Sequence, residues 1–447
     1  KVLVLTVPIA LQNALINVVG MLDNIMVGQI GTNEMSGVSI VNNLLFIVNL
    51  VIFGAVSAGG IFSAQFYGKG DHKGVAESFR SKLYLSISGL VIALLLFSIF
   101  PRFFVGLYLN EDAGGVGSAV LTMEAALSYM RIMLIGLPAL CISMVYCSTM
   151  RECEQSVIPM RNGFIEVLVD LVLNYLLIFG KFGFPEMGVE GAAIATVVAR
   201  YVDCGLNMLW VHTHSSRMQF IKYAFKTLKI SKKLFADVIK KGMPLMINEF
   251  LWVCSMAITM QAYAYRGLTV VAANNINSSI CNIFNIFFIS LGNAVGIIVG
   301  QLLGAGKVVE AKAQARKLIF FSSASCLIFM IGMISVSQVF PQIYNTEPEV
   351  KALATQMIIV YAVCMPIMAY CNAAYFAIRS GGKTLIALLM DGIYSIVFLV
   401  PLAYSLSHFT TLSIIVVYFI VTSSELLKCI LATVYLEKFR WAENIVD

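Results

Sequence analysis

The chain carries one motif twice. Ala64-Gln65-Phe66-Tyr67-Gly68-Lys69-Gly70 returns as Gly300-Gln301-Leu302-Leu303-Gly304-Ala305-Gly306, at an offset of 236 residues. The register holds without a gap. Pro8 falls on Pro244, Asn49 on Asn285, Gly60 on Gly296 and Arg80 on Arg316. A later block repeats at an offset of 228, pairing Pro138 with Pro366 and Arg151 with Arg379. Both halves are strongly apolar: 59% of the 447 residues are hydrophobic and only 12% charged. Soluble domains average nearer one quarter charged. A chain this apolar, built from two similar halves, reads as a membrane transporter whose site lies between the halves.

Hydropathy places twelve spans near 3–27, 36–66, 83–109, 119–148, 157–180, 189–213, 243–265, 270–302, 318–340, 353–378, 384–406 and 411–437. Each is long enough to cross a bilayer as a helix. Several are longer than required, so tilts or bends are expected, with Pro138, Pro366, Gly54, Gly59 and Gly60 as bend points. The even-numbered loops with the span ends beside them carry twenty Lys and Arg, and the odd-numbered ones four. Positive loops stay in the cytoplasm, which places both termini there too, in the cell membrane. The same asymmetry accounts for the formal net charge of +6, so no nucleic-acid partner is needed.

Six spans per copy give both halves the same orientation. They are then parallel repeats, related by a pseudo-two-fold axis along the membrane normal. The expected organisation is an N-lobe over 1–213, a cytoplasmic basic linker over 214–241 and a C-lobe over 242–447. The linker sets Phe220, Ile221, Tyr223, Phe225 and Leu228 among lysines, the pattern of an amphipathic helix on the inner membrane surface.

Ionisable groups within a span are costly, roughly 2.5–3.5 kcal/mol at the helix centre on insertion scales, so each is a functional candidate. Asn162, Glu166, Asp170 and Asn174 follow i, i+4 spacing and stack along one face of the fifth span. Two carboxylates one turn apart in a shared low-dielectric space cannot both ionise easily. They are expected to hold an exchangeable proton, or to share a hard cation such as Na⁺ with amide oxygens. Asp23 lies late in the first span, beside a face with Asn13, Asn17 and Asn24. Glu166 and Glu249 are further candidate proton sites, and Asp391 and Glu425 weaker ones. Arg200 and Asp203 are expected to pair. Polar stripes in equivalent helices, Asn42 and Asn49 in span two and Asn274, Asn277 and Ser278 in span eight, are expected to line one cleft, or else to bond helices together.

Motifs of catalysis are missing. The sequence has no Walker loop, no His-x-x-x-His pair and no nucleophile elbow, so no enzyme, cofactor or metal centre is expected beyond a coupling ion. Gly68-x-Gly70 and Gly304-x-Gly306 read as helix stops. The ten cysteines lie mostly in apolar segments and read as free buried thiols.

Several strings carry a resemblance. They are Leu22-Asp23-Asn24-Ile25-Met26-Val27-Gly28, Ala64-Gln65 with Gly68-x-Gly70, and Leu177-Ile178-Phe179-Gly180. Gly188-Val189-Glu190-Gly191-Ala192-Ala193-Ile194-Ala195-Thr196, Pro244, and Gln301 with Gly304-x-Gly306 follow. In this order the chain resembles the multidrug and toxic compound extrusion (MATE) family over essentially its whole length, and more closely its DinF-like branch. The resemblance implies an all-α integral membrane protein with twelve transmembrane helices in two six-helix lobes, arranged as a V around a cavity. It implies alternating access and export of amphipathic, mostly cationic compounds in exchange for H⁺ or Na⁺. It also implies a cation-coupling site, which carries over to Asp23, Asp170, Asn174 and Thr196. The span-five pair here runs Asp then Asn, the reverse of that branch. NorM-like members carry a Glu about one turn deeper than Glu249, near Trp252, and an acid in span ten that has no counterpart here.

The expected function is therefore a cation-coupled multidrug efflux antiporter, acting as a monomer in the bilayer. The alternatives are a lipid-linked precursor flippase of the same superfamily and a non-transporting membrane scaffold. A flippase would line its cavity with arginines for pyrophosphate, and only Arg131 and Arg200 lie deep within spans.

Overall fold

The computed structural model describes residues 2–109, 118–227 and 229–446. Among them the only regular structure is helical. The first six spans form α1 (Val2–Gly28), α2 (Thr32–Lys69), α3 (His72–Ile99) followed by the one-and-a-half-turn α4 (Pro101–Gly106), α5 (Ala119–Glu152), α6 (Val157–Ile178) and α7 (Gly188–Thr213). The second six follow the short α8 (Ile221–Ala224). They are α9 (Lys232–Ala264), α10 (Leu268–Gly304), α11 (Val308–Val336), α12 (Pro348–Ser380), a broken run of α13 (Thr384–Leu388) and α14 (Val400–Phe409), and the pair α15 (Ile414–Ser423) and α16 (Glu425–Lys438). Eleven of these runs are long and apolar enough to cross a membrane. The remaining one, α6, is 22 residues long and carries Arg161, Glu166 and Asp170. The protein is a multi-pass membrane protein.

The helices run past the apolar stretches that predicted them. The third span, expected from 83, begins at His72, because a helix does not stop where hydropathy falls. Helices α5 and α12 continue through Pro138 and Pro366. Segment 214–231 is mostly turn instead of an amphipathic helix, with α8 its only helical stretch; Leu228 lies outside the described residues. Its apolar residues have partners within the protein. Phe220 and Phe225 pack on Phe79 at ring distances of 5.3 and 6.1 Å, and Arg80 Nη1 donates to the Tyr223 and Ala224 carbonyls.

The chain forms two compact units. The N unit comprises Leu11–Ser63 and His72–Phe235; the C unit comprises Lys1–Ala10, Ala64–Asp71 and Ala236–Asp447. The C unit thus takes in the first turns of α1, where Leu5 joins a core with Val299, Leu303 and Trp441, and the end of α2.

That end of α2 meets α10 within the C unit, at the duplicated motif. A Cβ on Gly68 would fall 1.9 Å from the Gln301 carbonyl oxygen, and one on Gly304 would fall 1.8 Å from the Gln65 carbonyl oxygen. The two copies cross backbone to backbone and reciprocally. Both helices then stop in the same way. Gly70 and Gly306 adopt φ of +78° and +74°, and the next residues, Asp71 and Lys307, donate back to Phe66 and Leu302 at 2.9 and 3.0 Å. This is a Schellman closure, for which glycine is favoured. Gln65 is fully buried here, donating to the Ser380 and Glu443 carbonyls and accepting from Ile445 N.

In the N unit, Gly59 and Gly60 make room for a buried ion pair. A Cβ on Gly59 would meet Lys82 Cγ at 2.4 Å, and one on Gly60 would meet Glu152 Oε1 at 2.7 Å. The Lys82 side chain is 0% exposed and bonds Glu152, with Thr149 Oγ1 at 3.1 Å and Ser148 Oγ at 3.4 Å completing its shell. The second copy has no such pair: the 236 and 228 offsets place Leu318 and Ser380 at these positions.

Two outcomes follow for thermal unfolding of the detergent-purified protein. Gly68→Ala and Gly304→Ala should each lower stability by about 1–3 kcal/mol through overpacking, whereas Gly205→Ala, which meets nothing within 4 Å, should be neutral or stabilising. Lys82→Met or Glu152→Gln, each stranding a buried charge or its partner, should lower stability by about 3 kcal/mol or more. The double variant Lys82→Leu/Glu152→Ser, which copies the second repeat, should be milder than either; a simple sum of the singles would refute this account.

Candidate cation site

Helix α6 presents its i, i+4 stripe to α1 and α7 within the N unit. Asn174 Nδ2 donates to Asp23 Oδ1 at 2.7 Å and to Asp170 Oδ2 at 3.2 Å. One amide thus holds two carboxyl groups together, and the two also lie within hydrogen-bonding reach of each other. Thr196 lies beside Asp170 on α7, its hydroxyl donating to the Ala192 carbonyl one turn back. Asp170 is 2% exposed and Asn174 0%. Asp170 Oδ1 and Asn174 Oδ1 are sealed from solvent and accept no hydrogen bond.

The charges around this cluster are unbalanced. Among the described residues, no lysine or arginine forms an ion pair with Asp23, Asp170, Glu166 or Asp203, although such pairs occur elsewhere in the protein. The charge of Arg200, one turn beyond Thr196 on α7, acts on Asp23, Asp170 and Glu166 without pairing with them, and its Nη1 is buried without a partner. The expected Arg200–Asp203 pair does not form. Asp203 turns towards α5 instead, where Ser143 Oγ donates to its Oδ2. A buried relay continues from there: Asn207 donates to Ser143 at 3.0 Å and accepts from Asn162 at 2.8 Å. Gln12 lies over Gly163 and accepts from Arg151 Nη2.

This set of groups suits a small cation. Carboxylate, amide and hydroxyl oxygens converge in a low-dielectric space, and two of them have unused acceptor capacity. A proton shared by the carboxyl groups, or one hard monovalent ion among the oxygens, would balance the charge.

The other candidates lie apart from this cluster or outside its hydrogen bonds. Glu166 is half-buried one turn from Asp170, in the field of Asp203 and Arg200. Glu249 belongs to the C unit, beside Asn248 and in the field of Arg379 and Asp391. None of Asn13, Asn17, Asn42, Asn49, Asn274 and Ser278 is buried. Asn277 is, and its amide donates to Tyr418 OH at 2.9 Å, while Asn285 accepts from Tyr361 OH at 2.7 Å. Those two asparagines bond helices within the C unit.

Two features escaped the sequence reading. A cavity of about 400 Å³ opens at the N-terminal ends of α2, α5 and α7, lined by Glu34, Glu124 and Glu190, with Ser128 donating to Glu190. Each glutamate lies near a helix start, where a carboxylate is unremarkable in sequence. The second is Lys428, buried in the last span between two carboxylates. Its i, i+3 spacing from Glu425 was the available signal.

Comparisons with known proteins agree with this architecture. The chain is similar to a multidrug resistance MATE family transporter of the MOP superfamily in an outward-facing conformation, with 16% identity over 97% of this chain and 95% of that one and a TM-score of 0.86. A MATE transporter mutant from Vibrio cholerae matches at 15% identity, 98% and 95% coverage and a TM-score of 0.86. A MOP superfamily transporter from Pyrococcus furiosus, described as having a binding pocket of reverse polarity that suggests a different function, matches at 17%, 97% and 94%, with a TM-score of 0.82. The MatE family model matches the chain twice, over residues 8–176 and 244–405. The two matches begin 236 residues apart, at Pro8 and Pro244, which is the offset of the internal repeat. The chain belongs to the MatE family.

Proposed function

We propose that this protein is a secondary active antiporter of the cell membrane, exchanging H⁺ or Na⁺ for amphipathic, mostly cationic compounds by alternating access. The observation that carries the reading is the Asp23–Asn174–Asp170 cluster, whose buried oxygens exceed the donors available to them. Family membership supports transport, and the description of one similar structure as a multidrug resistance transporter supports efflux of varied compounds.

In this reading the ion binds from outside and neutralises the cluster. Neutralisation removes repulsion between Asp23 and Asp170 and changes how α1 packs on α6. Ion loss to the cytoplasm restores the charge and the affinity for a cationic substrate. A difference of roughly 1–3 kcal/mol between the two states gives useful coupling. Glu34, Glu124 and Glu190, at helix ends that the loop charges place outside, would concentrate cations at the mouth. The accessible amides Asn13, Asn17, Asn42, Asn49 and Asn274, with Ser278, would line the substrate path. The protein acts as a monomer, with both termini in the cytoplasm.

The test is efflux from proteoliposomes loaded with a fluorescent lipophilic cation, under an imposed pH or Na⁺ gradient. The wild type should transport under one gradient and identify the ion. Asp23→Asn and Asp170→Asn should each lower gradient-driven transport at least about tenfold, and Asn174→Ala should weaken it. Transport that survives both substitutions would move coupling to Glu166 or Glu249. No cation movement under either gradient would reject export and favour the flippase or the scaffold.

A further inference from the structure

The C unit holds a partly buried charge cluster of its own, at the place that corresponds to Gln12 and Gly163 in the N unit. Asn248, in α9, occupies the register of Gln12 at the 236 offset. It lies against Gly392 as Gln12 lies against Gly163. The surroundings in the C unit are ionic. Lys428 Nζ, from α16, lies 3.0 Å from Asp391 Oδ1 and 2.9 Å from Glu425 Oε1. The Tyr394 ring lies 5.5 Å from the same nitrogen, within the range of a cation–π contact.

Much of this cage is held by groups other than the lysine. Asn248 Nδ2 donates to Asp391 Oδ2 at 3.0 Å, and its Oδ1 accepts from Gly392 N at 2.8 Å. Tyr394 OH donates to the Ser424 carbonyl at 2.8 Å. The backbone that carries Asp391 is π-helical over Leu389–Ile393 and again over Ser395–Leu399, a rare geometry that is frequent at functional sites. Arg379 lies over the ring faces of Phe376 and Tyr375 at 4.5 and 5.7 Å. The result is a pre-arranged set of two carboxylate oxygens and a ring face around one positive charge. The Lys428 side chain is 10% exposed and delivers that charge.

We infer that the Asp391–Glu425–Tyr394 cage is a monovalent-cation site that the chain fills with its own ammonium, Lys428. The contrast with the N unit carries the inference. There, Asp23 and Asp170 converge with no ion-paired lysine or arginine; here, two carboxylates share one. The inference deepens the antiporter reading, on which it rests only for the N unit's ion. The C unit keeps its tethered cation whatever the ion gradient. An exogenous cation meets carboxylates there that are already occupied.

The test asks whether the cage accepts a free cation once the tethered one is removed. Lys428→Met keeps the stem but is one atom shorter, leaving an ion-sized gap at Nζ. Lys428→Ala leaves room for a short alkylammonium. Both are made in an Asp23→Asn background, to remove the N unit's response, and thermal unfolding of the purified full chain is followed at constant ionic strength. Relative to N-methylglucamine, Na⁺ should raise the Tm of the Met variant by about 3 °C or more. n-Propylammonium should do the same for the Ala variant, and tetrapropylammonium should not. The Lys428 parent should show neither rise. A variant that is recovered folded only when its cation is present also supports the site. Equal behaviour in all salts, a matching rise in the parent, or failure to recover either variant with any cation overturns it. The readout is independent of transport, so failed efflux in proteoliposomes would leave this result standing.

Discussion

A charge inside a lipid-spanning helix has no water to answer it, so the protein must supply the answer from a neighbouring helix. Most of what is specific to this protein follows from how each buried charge is met. Lys82 is met by Glu152, and the meeting requires two glycines on α2 to stand aside. Lys428 is met twice, by Asp391 and Glu425. Asp203 is met by a serine hydroxyl, and Arg151 by the Gln12 amide. Asp23 and Asp170 share one amide between them and remain in excess. Among the described residues these two carboxyl groups are held together with no ion-paired lysine or arginine, unlike Glu152 with Lys82 or Asp391 and Glu425 with Lys428.

Both units build on the same frame. In each, the first helix carries an amide that lies on a glycine of the fifth, Gln12 on Gly163 and Asn248 on Gly392. Around this shared contact the chemistry has diverged. In the N unit Gln12 accepts from Arg151, and a relay through Asn162, Asn207 and Ser143 ends on Asp203. The C unit surrounds it with ionic partners and opens the helix into π turns beside Asp391. The frame sets where polar groups can be placed, and the individual side chains set whether an ion is needed there.

Much of this was legible in the sequence. The apolar spans and their pairing followed from hydropathy and the repeat register. The gathering of Asp170 and Asn174 followed from their spacing on one helix, since i and i+4 residues stack whatever else the chain does. That Asp23 joins them was not legible from spacing, because it depends on how α1 lies against α6; the resemblance supplied it. Hydropathy starts the third span at 83 and so leaves Lys82 outside it, although the helix begins ten residues before Lys82 and the charge is buried. Arg200 and Asp203 are spaced to pair on an isolated helix, but tertiary partners took Asp203 instead. Aromatic residues among lysines in 214–231 looked like a membrane-surface helix, yet Phe79 provides a closer apolar partner.

The reciprocal crossing at Gly68 and Gly304 has a consequence for how such a protein can change over time. A joint of main chain on main chain constrains the two glycines that permit it and few residues besides. The duplicated segments can then diverge elsewhere without losing this contact. Gln12 and Asn248, Asn13 and Glu249, and Lys82 and Leu318 occupy equivalent registers and now differ. A duplication joined at so few positions thus leaves each copy free to change its own buried polar groups.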